Sequence, residues 1–429
     1  MTKRGTESIG TPKAAPVSTS RSNRKEQILS AATQLFYEQG YAGASMSDLA
    51  RRVGILKGSL YHHFGSKEDL LVHIFAQATA ETGEIMGEIE AMEGSPVAKI
   101  EAFVRAWSLW YLENLEMVSV YLAEWKHLSP ARLRGALKIR RDVYDRVEAL
   151  IDEACAAGEA PAGLDRRYAA FYLLSVISGL PAWYRPGGAD PPAAIADVQA
   201  EMIGRMVRCG DGRQGSGSFA VDPGRGQGTE ASADPEAELL AAATAAFHEE
   251  GYDRTSLQDI ADRTSLFRGS LYHYMDSKEG LLAEIFERAT AESFAVLEQI
   301  ESGEVAGVDR LYRFVGSWSL WYLENLEVVS VYVDEWRHLT GERREAAVAT
   351  RRRAFEVVES YVADALGAEG RDREARYAAL LILAAINGLT GWYRPAGVDD
   401  PERVAVAYAD MTAALVVGRP DRDLSSEAA

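Results

Sequence analysis

The chain has 429 residues, enough for two or three domains with full cores, and 26% of them are charged, with a formal net charge of −18. That charge argues against a protein that coats nucleic acid through its whole surface, although it allows a local basic face. Cys155 and Cys209 have no CxxC spacing, so neither a disulfide framework nor a zinc finger is encoded, and no run of about eighteen uncharged apolar residues suggests a membrane span.

The first residues, to about 21, read as a tail without the apolar stretch of a signal peptide, which leads to the expectation of a cytoplasmic protein. Ile28, Leu29, Ala32, Leu35 and Phe36 then recur at helical spacing until Gly40. A short helix follows from Met46 to Arg52, then a turn through Val53, Gly54 and Ile55, and a second short helix from Lys57 to Phe64. Two short helices joined by a glycine-containing turn are the helix-turn-helix pattern, whose second helix enters the major groove. Leu60 and Phe64 share its inner face. Lys57, Ser59, Tyr61, His62 and His63 are left for the outer faces, where such side chains reach phosphate oxygens or base edges. Ser66 suits an N-cap, and Lys67 in the first turn of the next helix suits a phosphate.

Longer helical patterns continue from Lys67, near Pro96, from Pro130, from Asp165 and near Pro191, punctuated by Pro and Gly. The predicted fold class is all-α. Residues 209–232 are rich in glycine and read as a linker with an r.m.s. span of about 27 Å.

Beyond that linker the whole pattern returns. WSLWYLENLE at 107–116 recurs unchanged at 318–327, an offset of 211, and Gly58-Ser59-Leu60-Tyr61-His62 recurs as Gly269-Ser270-Leu271-Tyr272-His273. After a two-residue deletion Trp183-Tyr184-Arg185-Pro186 pairs with Trp392-Tyr393-Arg394-Pro395. So long a period marks duplication of a whole unit and not a solenoid. The expected organisation is a tail (1–21), a first head (22–68), a first body (69–208), the linker (209–232), a second head (233–279), a second body (280–418) and a tail (419–429). Thr255-Ser256-Leu257-Gln258 reads as the capping box that opens the second head's short helix, with Ser45 at the weaker equivalent.

The segments SMSDLARRVGILKGSLYHHFGSKEDLL (45–71) and SLQDIADRTSLFRGSLYHYMDSKEGLL (256–282) resemble the DNA-binding region of the TetR family of repressors. The resemblance implies that Lys57, Gly58, Ser59, Tyr61, His62 and Lys67 contact duplex DNA, with Ser45 at the groove edge. In the second copy it implies the same of Arg268, Gly269, Ser270, Tyr272, His273, Lys278 and Thr255. The heads differ in charge: residues 21–73 hold seven Lys and Arg against five Asp and Glu, whereas 232–284 hold four against eleven. Weaker phosphate attraction is expected of the second.

The bodies are rich in aromatics. Trp107, Trp110, Tyr111, Tyr121, Trp125 and Tyr144 are matched by Trp318, Trp321, Tyr322, Tyr332, Trp336 and Phe355. Such residues serve either as ordinary core or as pocket lining. Trp183 and Trp392 join them as candidates, with Glu124, Glu335, Arg140, Arg351, Arg185 and Arg394 as polar groups that equally suit surface pairing. ENLEMVSVYLAEWKHLSP and WYRPGGADPPAAIADV resemble the C-terminal domains of TetR regulators that sense acyl-CoA thioesters, which implies an acyl-CoA or lipid-like effector. The resemblance also implies that the last two helices of each body form a dimer interface. Both copies lie on one chain, so an internal pseudo-dimer is expected, pairing between chains being the alternative.

Two other functions fit parts of the sequence. Glu124-x-x-His127 and Glu335-x-x-His338 have the spacing of di-iron bundle enzymes, though this leaves the heads unexplained. A ligand sensor or adaptor with degenerate heads keeps the fold without DNA binding. No cofactor motif and no clustered metal ligands occur, so neither an enzyme nor a metalloprotein is expected.

Overall fold

The computed structural model describes residues 19–210, 219, 235–264, 277–301, 305–367 and 371–418, and side chains from residue 24 onward. Every element among them is helical. In the first half, α1 (Thr19–Gly43) breaks at Gly40, whose φ of 71° ends the regular helix at the glycine that the apolar pattern pointed to. Then come α2 (Met46–Val53) and α3 (Lys57–Tyr61), three residues shorter than expected at its end, the chain reaching Phe64 through turns. Gly54 between them has φ 72°, a conformation that strains any other residue, and its N–H closes α2. Ser66 caps α4 (Lys67–Ala91) by accepting from the Asp69 N–H. The body continues with α5 (Pro96–Glu113), α6 (Leu115–Ala123), a 3-10 turn (Trp125–His127), α7 (Pro130–Ala156), α8 (Arg166–Ser178), α9 (Leu180–Trp183) and α10 (Pro192–Cys209).

The second half repeats this with α11 (Pro235–Glu250), α12 (Leu257–Ala261), α13 (Lys278–Glu301), α14 (Gly307–Glu324), α15 (Leu326–Asp334), a 3-10 turn (Trp336–His338), α16 (Gly341–Leu366), α17 (Asp372–Asn387), α18 (Leu389–Trp392) and α19 (Pro401–Val417). The capping box of α12 is Ser256 with Asp259, one residue beyond the expected Thr255 to Gln258. Each head has its own small core; in the first, Ile28, Leu35, Leu49, Leu60 and Phe64 gather around the start of α4.

The bodies share one core, because α8 and α10 pack against α17 and α19. Gly179 and Gly388 occupy equivalent places where α8 and α17 cross, and a Cβ on either would overlap Ala384 or Ser175 of the other half. Polar pairs surround this contact with near two-fold logic. Tyr168 donates to Asp399 (3.1 Å), and its equivalent Tyr377 donates to Asp190 (2.6 Å). Arg167 grips Asp399 with both terminal nitrogens at 2.7 and 2.9 Å, and Arg403 reaches Asp165 at 2.7 Å. Beyond the tyrosines the pairs are not repeated residue for residue: Arg403 matches Ala194, Asp190 is held by Arg373 (2.9 Å), Arg205 pairs with Glu374 (2.8 Å), and the buried hydroxyls of Tyr172 and Thr412 (3.0 Å) have Leu381 and Ile203 at the matching positions. In the linker, Phe219 lies against Tyr312, over Gly316, where a Cβ would overlap its ring.

Candidate DNA-binding heads and effector cleft

In head one the outer face of α3 is open. Lys57, Gly58, Ser59, Tyr61 and His62 are exposed, whereas Leu60 is fully buried and anchors the helix. Lys57 has no ion-pair partner among the described residues, and a Cβ at Gly58 would touch nothing in the protein. Ser45 is the N-cap of α2, accepting from the Asp48 N–H at 3.2 Å. Leu56, just before α3, is 81% exposed. The sequence reading passed over it because an exposed leucine has no periodic signature. A side chain of this kind suits contact with a thymine methyl group.

Lys67 is placed differently from the phosphate contact expected. Its amino group donates to the carbonyls of Tyr41 (2.5 Å) and Ala44 (2.9 Å) and sits 4.2 Å from the centre of the Tyr41 ring. Burial lowers its pKa. Lys278 repeats the arrangement on Tyr252 (2.8 Å), Thr255 (2.9 Å) and the Tyr252 ring. These lysines tie the turn after the first helix to the start of the long fourth one.

Thr255 requires a correction. It is buried, and its hydroxyl donates to the carbonyls of Ala246 and Gly251, so it has nothing to offer a groove. The offset of 211 pairs Ser45 with Ser256, and Ser256 is the exposed cap. Arg268, Gly269, Ser270, Tyr272 and His273 lie outside the described residues.

The body candidates divide into three groups. Tyr121, Trp125 and Arg140 meet in a small half-open cleft, with room for about one water (10 Å³), at the joint of head and body, together with Phe75, Leu133, Ala136 and Leu137. The Arg140 guanidinium lies 6.0 Å from the Trp125 ring, and burial pushes the Tyr121 hydroxyl up to about 12. The matching surface of body two has Tyr332 stacked on Phe286 at 4.2 Å, and Arg351 5.0 Å from Trp336. Trp107, Tyr111, Trp318, Trp321 and Tyr322 are buried core, while Trp110 is half-buried and bonded to Glu81 (2.9 Å). The Tyr322 hydroxyl donates to Asn387.

A third group faces the other half of the chain or the heads. Trp392 stacks on Phe171 at 4.0 Å, Phe171 in turn touches Tyr144, and Trp183 meets Tyr377 edge-on at 6.2 Å. These aromatics belong to the contact between halves, whereas half-buried Phe355 packs on the shared core. Arg185 and Arg394 fold back onto the carbonyls of Tyr184 and Tyr393. Glu124 accepts from the Tyr41 N–H (3.2 Å) and pairs with His127 (3.2 Å), holding head one to its body. Glu335, its equivalent, pairs with His338 (3.2 Å) and, across the halves, with Lys126 (3.1 Å). These glutamates have structural partners, and no group of three or more potential ligands is placed to hold a metal among the described residues.

Two family models match the chain, each twice. "Bacterial regulatory proteins, tetR family" covers residues 28–74 and 239–285, and "Tetracyclin repressor-like, C-terminal domain" covers 93–207 and 304–416. The chain belongs to the TetR family. It is therefore a tandem duplication of a DNA-binding transcriptional regulator, a family of regulators and not of enzymes. Among TetR relatives, the repressor KstR2 of Rhodococcus jostii is 28% identical over 194 residues, which is 45% of this chain and 95% of that protein. The regulator AcrR of Shigella flexneri is 26% identical over 193 residues, 43% of this chain and 90% of that one. Solved structures similar to it include AibR in complex with isovaleryl coenzyme A and operator DNA (25% identity, TM-score 0.40, 43% of this chain and 98% of that one). KstR2 of Mycobacterium tuberculosis is another (22% identity, TM-score 0.41, 44% and 96%). Each relative has about the length of one half. No helix among the described residues is long and apolar enough to cross a membrane.

Proposed function

We propose that this TetR-family chain is a cytoplasmic repressor whose two halves act as one pseudo-dimer on an operator and release it when an acyl-CoA or similar lipid-like effector binds. The observation that carries this reading is the pairing of the bodies through α8, α10, α17 and α19, which gives one chain the two heads that a dimer would present. Heads at 22–68 and 233–279 would sit on bodies at 69–208 and 280–418. Exposed Lys57, Ser59, Tyr61 and His62, beside a glycine whose smallness the protein itself does not require, suit close approach to a duplex. KstR2 of Rhodococcus jostii, a transcriptional repressor, supports repression as the outcome.

The cleft under Tyr121 and Trp125 would take the effector by widening: its apolar lining suits an acyl chain, and Arg140 at its edge suits an anionic group. Its position gives a mechanism. Phe75 of α4 and Trp125 of the 3-10 turn both line it, and Glu124, next to Trp125, holds the Tyr41 N–H of head one. A ligand that wedges α4 from α7 shifts this turn and changes the spacing of the heads away from one helical turn of DNA, roughly 34 Å. Footprinting on the DNA flanking its own gene, with and without a panel of CoA thioesters, tests the reading. Protection lost on adding a thioester supports it; no binding at low salt overturns the DNA-binding role, and indifference to every thioester overturns the effector class. Light scattering gives a mass near 46.9 kDa for an internal pseudo-dimer, and twice that for pairing between chains.

A further inference from the structure

We propose that the two heads address DNA unequally: head one makes the strong phosphate and base contacts, and head two is a support clamped to body one, so that the operator contains one strong half-site. This rests on the DNA-binding reading above. Its first basis is charge. Head one carries a net +2 over residues 21–73, and head two −7 over 232–284. The engagement of those charges sharpens the contrast. In head two Arg263 is held by Glu249 and Glu250, both at 2.7 Å. Lys278 is bonded to two carbonyls, and Arg254 donates to the Glu250 carbonyl (2.7 Å) and the Lys126 carbonyl (3.3 Å). Every cation among the described residues of head two thus has an internal partner. The stretch 265–276, outside those residues, adds one cation and one anion, Arg268 and Asp276, which cancel. In head one Arg51 pairs with Asp48, Arg52 with Glu38, Lys25 with His73 (3.1 Å) and Lys67 with two carbonyls, but exposed Lys57 has no ion-pair partner among the described residues, and Lys25 stands where head two has Glu236.

The second basis is mechanical. Lys126 of body one inserts its amino group against Glu335, whose side chain is only 5% exposed, and Gly251 of head two (φ 83°) closes over the pair. Arg254 of head two reaches back to the carbonyl of that same Lys126. Head two is thereby seated on its own body and on the other one. Among the described residues head one has no equivalent bond to the other body. The position equivalent to Arg254 is Gly43, which has no side chain to donate, and Arg337, the equivalent of Lys126, lies over the Trp336 ring at 5.8 Å. Binding to polyanionic DNA follows the cations available to displace counterions, so one head dominates the affinity.

The test uses the full chain and a duplex that it protects at low salt. Hydroxyl-radical footprinting is expected to show one strongly protected half-site, with the second half weakly protected. Lys57→Ala, an exposed change that leaves the core alone, is expected to weaken binding about tenfold, and Arg268→Ala less than about twofold. The slope of log affinity on log salt should match about three to five phosphates and not the six to ten of a two-headed clamp. Two equally protected half-sites, or equal losses from the two substitutions, would overturn unequal reading while leaving DNA binding intact. Failure of the unmodified chain to bind any duplex would overturn the underlying role as well, which is a different result.

Discussion

The contact between halves can be tested from inside the protein through one buried pair. The Tyr172 hydroxyl of α8 and the Thr412 hydroxyl of α19 lie 3.0 Å apart, and both residues are 0% exposed. Tyr172→Phe removes one partner and leaves the other in an apolar place, a penalty of about 1–3 kcal/mol. Thr412 sits on a helix, and its hydroxyl can turn toward the carbonyl four residues earlier, so the cost falls near about 1 kcal/mol. Thr412→Val strands the tyrosine hydroxyl, which has no such refuge, and belongs toward the upper end, about 2–3 kcal/mol. The double variant leaves nothing unsatisfied and should lie within about 1 kcal/mol of the parent. The chain already contains this solution, since the equivalent positions are Leu381 and Ile203, both buried. The expected coupling energy is therefore about 2–4 kcal/mol, read from urea unfolding followed by tryptophan fluorescence in a double-mutant cycle. Strictly additive losses would mean that the hydroxyls do not meet and that the halves do not pack as described.

Two further outcomes follow from the heads. Lys67→Ala should destabilise head one by about 1–2 kcal/mol through loss of its two carbonyl contacts and its position on the Tyr41 ring, seen as faster amide exchange around Tyr41 and Ala44; unchanged exchange with weakened DNA binding would instead assign this lysine to phosphate alone. Burial works to raise the Glu335 carboxyl, but His338 and Lys126 outweigh it and hold it below its ordinary 4.5. A depressed folded value stabilises above the unfolded pKa and is lost as pH falls through the folded one, so the seat of head two should loosen as acid is added below about pH 4.5. Glu335→Gln should flatten that acid limb in an exchange or fluorescence titration, and an unaltered limb would show that the charge is not involved.

Much of head one was legible because its signals are local. Gly54 between two short helices, Leu60 and Phe64 four apart, and Ser66 before Lys67 each act within one turn of chain, and each is found in the role expected. Thr255 was misread for the same reason that the repeat was found: one residue of slippage in a matched segment exchanges a buried hydroxyl for the exposed Ser256. The bodies were less readable. An aromatic residue on an apolar helix face satisfies a core, a pocket or a mating surface equally well, and only the packing separates Tyr121 in the cleft from Trp392 between halves. Contacts such as Arg167 with Asp399 or Lys126 with Glu335 join residues more than 200 positions apart, and no periodicity carries that information. The cleft residues Phe75 and Leu137 were passed over because their pattern is that of any amphipathic helix.

The linker described above changes how such a regulator responds to scarcity. Subunits that must find one another fall apart when few copies are present, and their occupancy of a site then depends steeply on how much protein the cell makes. A tether of this length keeps its two ends at an effective concentration of about a millimolar regardless of dose. Phe219 rests on α14, which gives the segment between the halves a foothold on the second body. On the proposed pseudo-dimer reading a single molecule would arrive already assembled, and its grip on a gene would scale in simple proportion to its abundance.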